Sequence, residues 1–133
     1  MTASQSPSAP MVLIVDDEPE VLGLMERILV EAGYTVHLAS DAIAALEFLS
    51  TLSAPPSAVV TDLRMDPIDG ASLGQMIHAR WGDVPLLFIS GFGSASQYGD
   101  LPGPFLPKPF DAGHLLDAVG RLMLDPHAPQ APS

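Results

Sequence analysis

The sequence predicts an α/β domain in which helices cover a parallel sheet. Three features indicate this class: short apolar runs that end on polar residues, amphipathic segments with helical periodicity between them, and Gly, Pro or Ser at most junctions. Strands that alternate with helices in this way form a parallel sheet with right-handed crossovers. A length of 133 residues and a hydrophobic fraction of 47% fit one domain with its own core.

The first half of the chain contains three predicted strands with a helix after each of the first two. The strands cover residues 11–15, 34–39 and 58–61. The first strand is a continuous apolar run, which is typical of a strand buried on both faces. Pro19 suits the first turn of the helix that follows, and Gly33 ends its apolar periodicity. Ser40 or Asp41 is expected to cap the second helix.

The second half adds two helices and two strands. They are a helix over 70–81, a strand over 86–89, a short strand over 105–108 and a helix over 111–124. We expect Leu73, Met76 and Ile77 to face the core and Gly82 to end their helix. Pro107 places the fifth strand at a sheet edge, where a missing backbone donor is tolerated. Between residues 92 and 104 the periodicity fails.

The two ends of the chain carry no folding pattern. Residues 1–10 lack the basic region and apolar core of a signal peptide, and residues 125–133 are rich in Pro and Ala. We predict that both ends are disordered around a domain of residues 11–124. No apolar run approaches the roughly 20 residues that span a bilayer. The absence of cysteine fits a reducing compartment, so we predict a cytoplasmic protein without a membrane partner.

The charge of the chain argues against one class of partner. The formal net charge is -11, whereas nucleic-acid binding depends on Lys and Arg side chains that neutralise phosphates. We therefore expect no nucleic-acid partner. Lys108 is the only lysine, so any role that requires an ammonium group falls to this residue.

Four predicted strands carry polar groups at their carboxyl ends, where ligands bind in open α/β sheets. These groups are Asp16 and Asp17, Asp62, Ser90 and Lys108. Three crowded carboxylates repel one another unless some are protonated or a cation joins them. Mg²⁺ meets this need, since it binds one or two carboxylates together with waters and a phosphoryl oxygen. The hydroxyl and the ammonium are groups that a phosphoryl group would need.

Each residue of this set also has a purely structural explanation. The acidic run after the first strand is compatible with a negatively charged helix N-terminus. Asp62 and Ser90 are compatible with turn residues, and Lys108 with a solvated edge charge. Their joint occurrence at strand ends is the observation that favours a functional site.

Four motifs, VDDEP, VTDLRM, FISG and LPKPF, occur in this order at the ends of the first, third, fourth and fifth strands. With this combination the chain resembles a receiver domain of the two-component response regulators, over about residues 11–124. The resemblance implies a flavodoxin-like, doubly wound five-stranded sheet with strand order 2-1-3-4-5.

The resemblance also implies Mg²⁺-dependent phosphoryl transfer. Asp62 would accept the phosphoryl group from a phosphohistidine on a histidine kinase or histidine phosphotransfer protein. Asp17, Asp62 and the backbone carbonyl of Arg64 would hold Mg²⁺, and Asp16 would bind the metal through water. The carboxylate of Asp62 would attack phosphorus while positive charge offsets the charge on the equatorial oxygens.

The other matched residues would act on the transferred group. Ser90 and Lys108 would bind it, and Phe105 would be the switch aromatic that reorients as Ser90 moves. Arg64 and Phe92 would flank the path of the hydrolytic water. The protein would catalyse only its own phosphorylation and dephosphorylation, and it would switch contacts with an unidentified downstream protein rather than act as an enzyme.

Three departures from the family pattern affect these expectations. Asp66 stands between the Met of the third-strand loop and Pro67, and Phe105 lacks the hydroxyl of the commoner tyrosine. The segment between Ser90 and Lys108 is short and broken by Gly, so we predict a reduced fourth helix. Because that helix belongs to the face through which the family dimerises, we expect a monomer.

Other functions fit the sequence less well. An Asp-nucleophile phosphatase of the haloacid dehalogenase type would have D-x-D after the first strand, and a flavin-binding module would have a Ser/Thr/Gly phosphate loop there. A degenerate receiver that acts as a phosphorylation-independent scaffold is a further alternative, although the intact residue set argues against it. The chain is compatible with a stand-alone regulator, a phosphorelay intermediate or the receiver part of a hybrid histidine kinase.

Overall fold

This computed structural model describes residues 10–91 and 101–124, in which a helix follows four of the five strands. In chain order the elements are β1 (Met11–Val15), α1 (Pro19–Glu31), β2 (Thr35–Ala39), α2 (Ala42–Leu49), β3 (Ala58–Asp62), α3 (Gly70–Trp81), β4 (Leu86–Ser90), β5 (Phe105–Pro107) and α4 (Ala112–Leu124). The predicted elements agree with these bounds within the usual uncertainty of a residue or two at element ends.

The five strands form one parallel sheet in the order β2-β1-β3-β4-β5, which confirms the predicted doubly wound fold. The order reverses between β1 and β3, and this reversal opens a crevice at the carboxyl ends of those two strands. In register, Val15 lies beside Thr61 and Ser90 beside Pro107. Residues that follow these strands therefore meet at one edge of the sheet.

Two apolar layers cover the two faces of the sheet. One layer packs α2 and α3 against alternate residues of the central strands, such as Leu13 and Phe88. The other packs α1 and α4 against the intervening residues, such as Val12 and Ile89. Successive side chains of a strand point to opposite faces, so strands covered on both faces are apolar throughout. This arrangement explains why β1 is apolar throughout and why β3 and β4 are apolar until they reach their polar carboxyl ends.

The helix ends follow the sequence signals. Asp41, one of the two predicted capping residues, accepts a hydrogen bond from the backbone N–H of Ala44 at 2.7 Å. Asp69 caps α3 in the same way through Ser72, at 2.8 Å. Gly82 has a φ of 78° and ends α3, as predicted.

One predicted core residue is exposed. Met76 has 43% of its surface exposed, whereas Leu73 and Ile77 are buried. The buried face of α3 consists of positions 70, 73, 74 and 77, which follow helical spacing, and position 76 lies off that face.

Several predictions fall on residues outside the described ranges. The predictions of a disordered leader and tail concern mainly residues 1–9 and 125–133, and the prediction of a reduced fourth helix concerns mainly residues 92–100, which include Phe92. Residues 101–104, which are described, form no helix. Within residues 10–91 and 101–124, no helix is both long enough and apolar enough to cross a membrane.

Candidate functional site

Buried polar residues collect at the carboxyl edge of the sheet. In the described part of the chain, the buried polar or charged residues are Asp16, Thr61, Asp62 and Ser90. Asp16 directly follows β1, and its N–H donates to the carbonyl of Ala39, which extends the ladder between β1 and β2. Because burying a polar group costs free energy unless it is paired, this concentration marks the edge as more than a structural turn.

Four carboxylates surround the opening of this edge. One oxygen from each of Asp16, Asp17, Glu18 and Asp62 lies within 4.8 Å of the others. Asp16 and Asp62 are buried, whereas Asp17 and Glu18 are exposed, so the group forms a half-open set of oxygen atoms. Such a set suits a hard divalent cation that keeps part of its water shell.

Lys108 brings a positive charge to the same place. Its Nζ lies 3.0 Å from Glu18 Oε1 and 3.6 Å from an oxygen of each buried carboxylate, Asp16 and Asp62. The backbone N–H of Lys108 donates to the carbonyl of Ser90 at 2.7 Å, so the ladder between β4 and β5 sets the position of the side chain.

The two oxygens of Asp16 have different environments. Oδ1 accepts a hydrogen bond from the backbone N–H of Glu18 at 2.9 Å. Oδ2 is buried and makes no hydrogen bond among the described residues, although the ammonium of Lys108 lies 3.6 Å away. Leaving a buried acceptor unsatisfied costs about 1–3 kcal/mol. This oxygen is therefore placed to interact with an ion or a water.

Asp62 is held by its own loop. Its Oδ1 accepts a hydrogen bond from the backbone N–H of Arg64 at 3.3 Å, while Oδ2 faces Lys108. Gly70 donates to the carbonyl of Leu63 at 2.9 Å and closes the loop. A Cβ atom at Gly70 would collide with the carbonyl oxygen of Asp62, so this close approach requires glycine.

The electrostatics of the site favour a bound cation. Burial raises the pKa of Asp16 to about 6, with the Glu18 hydrogen bond opposing this shift and the charge of Asp62 adding to it. Burial also raises the pKa of Asp62, against the opposing charge of Lys108. Burial alone would lower the pKa of Lys108, but the surrounding carboxylates, led by the hydrogen-bonded Glu18, raise it. One ammonium therefore does not neutralise the cluster.

A cleft of about 420 Å³ opens beside the carboxylates. It is lined by Asp17, Arg64, Met65, Asp66 and Asp69. Asp66 follows Met65 directly, at the position where the family pattern usually has Pro, and it adds a carboxylate to the wall. The cleft gives a small molecule access to the exposed side of the acidic group.

The structure brings five predicted site residues to one edge: Asp16, Asp17, Asp62, Ser90 and Lys108. The other predicted residues are placed differently. Arg64 contacts Asp62 through its backbone N–H and lines the cleft. Phe105 begins the edge strand β5, lies in register with Phe88 and has 41% of its surface exposed. Phe92 lies outside the described residues.

Glu18 is a residue of this edge to which the sequence analysis gave no role. It contributes an oxygen to the acidic group and is the nearest acidic partner of Lys108. The sequence does show Glu18 as the third acidic residue of the DDE run, but an acidic residue at this position is equally consistent with the N-terminus of a helix. Only the contact between Glu18 and Lys108 distinguishes a residue of the site from an acidic residue that merely begins a helix.

Comparisons with known proteins agree with this geometry. The profile of the response regulator receiver domain matches residues 12–120. Sensor kinase CckA of Brucella abortus (strain 2308) is 34% identical over 116 residues, which are 84% of this chain and 12% of that protein. Response regulator MprA of Mycobacterium ulcerans (strain Agy99) is 34% identical over 116 residues, covering 84% of this chain and 49% of that protein. The chain thus spans half or less of these two relatives.

A solved structure shows the same likeness over nearly the whole chain. The crystal structure of a response regulator receiver protein from Sinorhizobium medicae WSM419 superposes with a TM-score of 0.81 and 30% identity. The likeness covers 92% of this chain and 100% of that one. With its sheet order, its clustered strand-end residues and these matches, the chain belongs to the response regulator receiver domain family of two-component signalling.

Proposed function

We propose that this domain accepts a phosphoryl group on Asp62 from a phosphohistidine and thereby switches contacts with a downstream protein. The observation that carries the proposal is the position of Asp62: a buried carboxylate at the end of β3, 3.6 Å from the only lysine of the chain. Purely structural carboxylates are seldom buried with so little hydrogen bonding.

The chemistry is a nucleophilic substitution at phosphorus. An oxygen of Asp62 forms a bond to phosphorus while the bond from phosphorus to the histidine nitrogen breaks, and the electron pair leaves with the imidazole of the partner. The N–H of Arg64 holds one oxygen of Asp62 and thereby orients the carboxylate. Lys108 offsets the negative charge that collects on the equatorial oxygens, and the hydroxyl of Ser90 binds one of them.

The donor set fits Mg²⁺. Asp17 and Asp62, with the backbone carbonyl of Arg64, would hold the ion, and Asp16, whose Oδ2 has no hydrogen-bond donor, would bind it through water. When bound, Mg²⁺ supplies positive charge that stabilises the oxygens of the transferred group. The exposure of Asp17 and the adjoining cleft leave room for the remaining waters.

The partners follow from the family. A histidine kinase or a histidine phosphotransfer protein is the donor, in keeping with the sensor kinase and the response regulator among the relatives. In this proposal the domain promotes only its own phosphorylation and dephosphorylation. It is not an enzyme that acts on a separate substrate.

Labelling with a small phosphodonor tests the proposal. In the presence of Mg²⁺, we expect the intact protein to gain one phosphoryl group by mass spectrometry and Asp62→Asn to gain none. Asp117→Asn, which removes an exposed carboxylate from α4, is the matched control and should be labelled like the parent. Equal labelling of Asp62→Asn would exclude Asp62 as the acceptor. If the parent is not labelled by a phosphodonor or a phosphorylated kinase, the scaffold alternative is favoured.

A second prediction concerns the metal. Asp17→Asn should weaken Mg²⁺ binding at least roughly tenfold, because it removes a direct carboxylate ligand from an open site. Isothermal titration calorimetry at pH 7 measures this change. Asp66→Asn removes an equal charge from the wall of the same cleft and is expected to bind Mg²⁺ nearly as the parent does. If the two variants bind the metal alike, Asp17 is not a ligand.

A further inference from the structure

Lys108 makes unequal contacts with the three carboxylates around it. Glu18 is its hydrogen-bonded partner, with Oε1 at 3.0 Å from Nζ. Asp16 and Asp62 lie farther away, each with an oxygen 3.6 Å from Nζ. The ammonium is thus drawn toward the exposed acidic residue and away from the two buried ones.

The side chain of Glu18 does not cap its own helix. Glu18 is the N-cap residue of α1, but its side chain makes no capping hydrogen bond. Its backbone N–H is already occupied by Asp16. The carboxylate instead accepts a hydrogen bond from the ammonium of Lys108, which follows β5. It has 60% of its surface exposed, whereas Lys108 has 24% exposed.

This contact opposes the function proposed for Lys108. A phosphoryl group on Asp62 adds negative charge beside an oxygen that is already 3.6 Å from the ammonium. A shift of Lys108 toward the phosphoryl oxygens would compete with its 3.0 Å hydrogen bond to Glu18. An interaction made only in the unphosphorylated state shifts the equilibrium toward that state by its own free energy.

We infer that Glu18 competes with the phosphoryl group for Lys108 and so lowers the occupancy of the phosphorylated state. Glu18 is a positioning residue in this scheme, since it acts through Lys108 and not on the reacting atoms. The inference rests on the function proposed for Asp62. It gives the third acidic residue of the DDE run a regulatory role that is separate from metal binding.

Binding of beryllofluoride, a phosphoryl mimic, tests the competition without requiring turnover. At saturating Mg²⁺, Glu18→Gln should bind the mimic roughly two- to fivefold more tightly than the parent, the range expected for an ion pair with one exposed partner. Glu20→Gln is the matched control, because it removes an equal charge from the first turn of α1. Its affinity for the mimic should stay close to that of the parent. Unchanged or weaker binding by Glu18→Gln would overturn the inference.

A double-mutant cycle separates competition for Lys108 from general charge repulsion. In the Lys108→Met background there is no ammonium to release, so Glu18→Gln should no longer improve binding of the mimic. If the improvement persists in that background, repulsion alone explains it and the inference is wrong.

Three outcomes distinguish this inference from the proposed function. If Glu18→Gln weakens Mg²⁺ binding as much as Asp17→Asn does, Glu18 is a metal ligand and the competition is refuted. If the parent binds no mimic and accepts no phosphoryl group, the proposed function fails and the inference fails with it. If the parent does bind the mimic and Glu18→Gln matches it, only the competition is wrong.

Discussion

Asp16→Asn should raise the free energy of unfolding of the metal-free domain at pH 7 by about 3 kcal/mol. Burial raises the folded-state pKa of Asp16 to about 6, above the ordinary value of 3.8. A raised carboxyl pKa means that the protonated form favours the folded state. This stabilisation is complete below about pH 4 and is lost as the pH rises through about 6. At pH 7 the charged, buried carboxylate therefore destabilises the fold, and an amide removes that charge.

Urea unfolding at pH 5, 6 and 7 with a chelator present measures this effect. The difference between Asp16→Asn and the parent should grow as the pH rises over this range. Asp62 remains in both proteins, and the measured difference includes the loss of its repulsion by the charge of Asp16. Asp66→Asn, which removes an exposed carboxylate, should show no such pH-dependent gain in stability. If Asp16→Asn is no more stable than the parent at pH 7, burial of the charged Asp16 carboxylate does not destabilise the fold.

Added Mg²⁺ should reduce the difference in stability between Asp16→Asn and the parent. A cation that binds only the folded state stabilises it by mass action. The parent offers the cation one more carboxylate than Asp16→Asn does, so its stability should increase more on titration with Mg²⁺. An equal increase in both proteins would argue against a role for Asp16 at the metal.

Gly70→Ala should destabilise the domain by about 3 kcal/mol or more and should slow phosphorylation of Asp62. The added Cβ would collide with the carbonyl oxygen of Asp62 and would lie within 3.0 Å of the carbonyl carbon of Asp62 and the Cα of Leu63. All three atoms belong to the backbone, so no side-chain rotation can relieve the overlap. The strand end that carries the acceptor must move instead.

Gly23→Ala provides the matched control for this substitution. Gly23 lies in α1, and a Cβ there would have no heavy atom within 4 Å. Alanine should be neutral or stabilise the domain by roughly 0.5–1 kcal/mol, since glycine is unfavourable inside a helix. Thermal unfolding and the labelling rate of both variants test the pair. If Gly70→Ala behaves like Gly23→Ala, the close approach of Gly70 to Asp62 does not constrain the site.

The sequence by itself determined the fold class, the element order and the strand ends from which the site is built. Helical and strand periodicities are local properties, and β1, β3 and β4 are apolar enough to be recognised as strands covered on both faces. Strand ends of a parallel sheet meet at one edge, so the predicted grouping of Asp16, Asp62 and Lys108 needed only the strand order. That order came from family resemblance and is confirmed by the sheet.

Only the tertiary structure decided which side chains are buried and which partners the charged side chains of the site contact. Periodicity placed Met76 on the buried side of α3, but packing against the sheet left it exposed. The DDE run was visible in the sequence, yet its third residue became a partner of Lys108 because two residues 90 positions apart in the chain both follow strands that end at the same edge of the sheet. Burial likewise left one oxygen of Asp16 without a hydrogen bond among the described residues. Such contacts depend on distances between residues far apart in the chain, which no local pattern encodes.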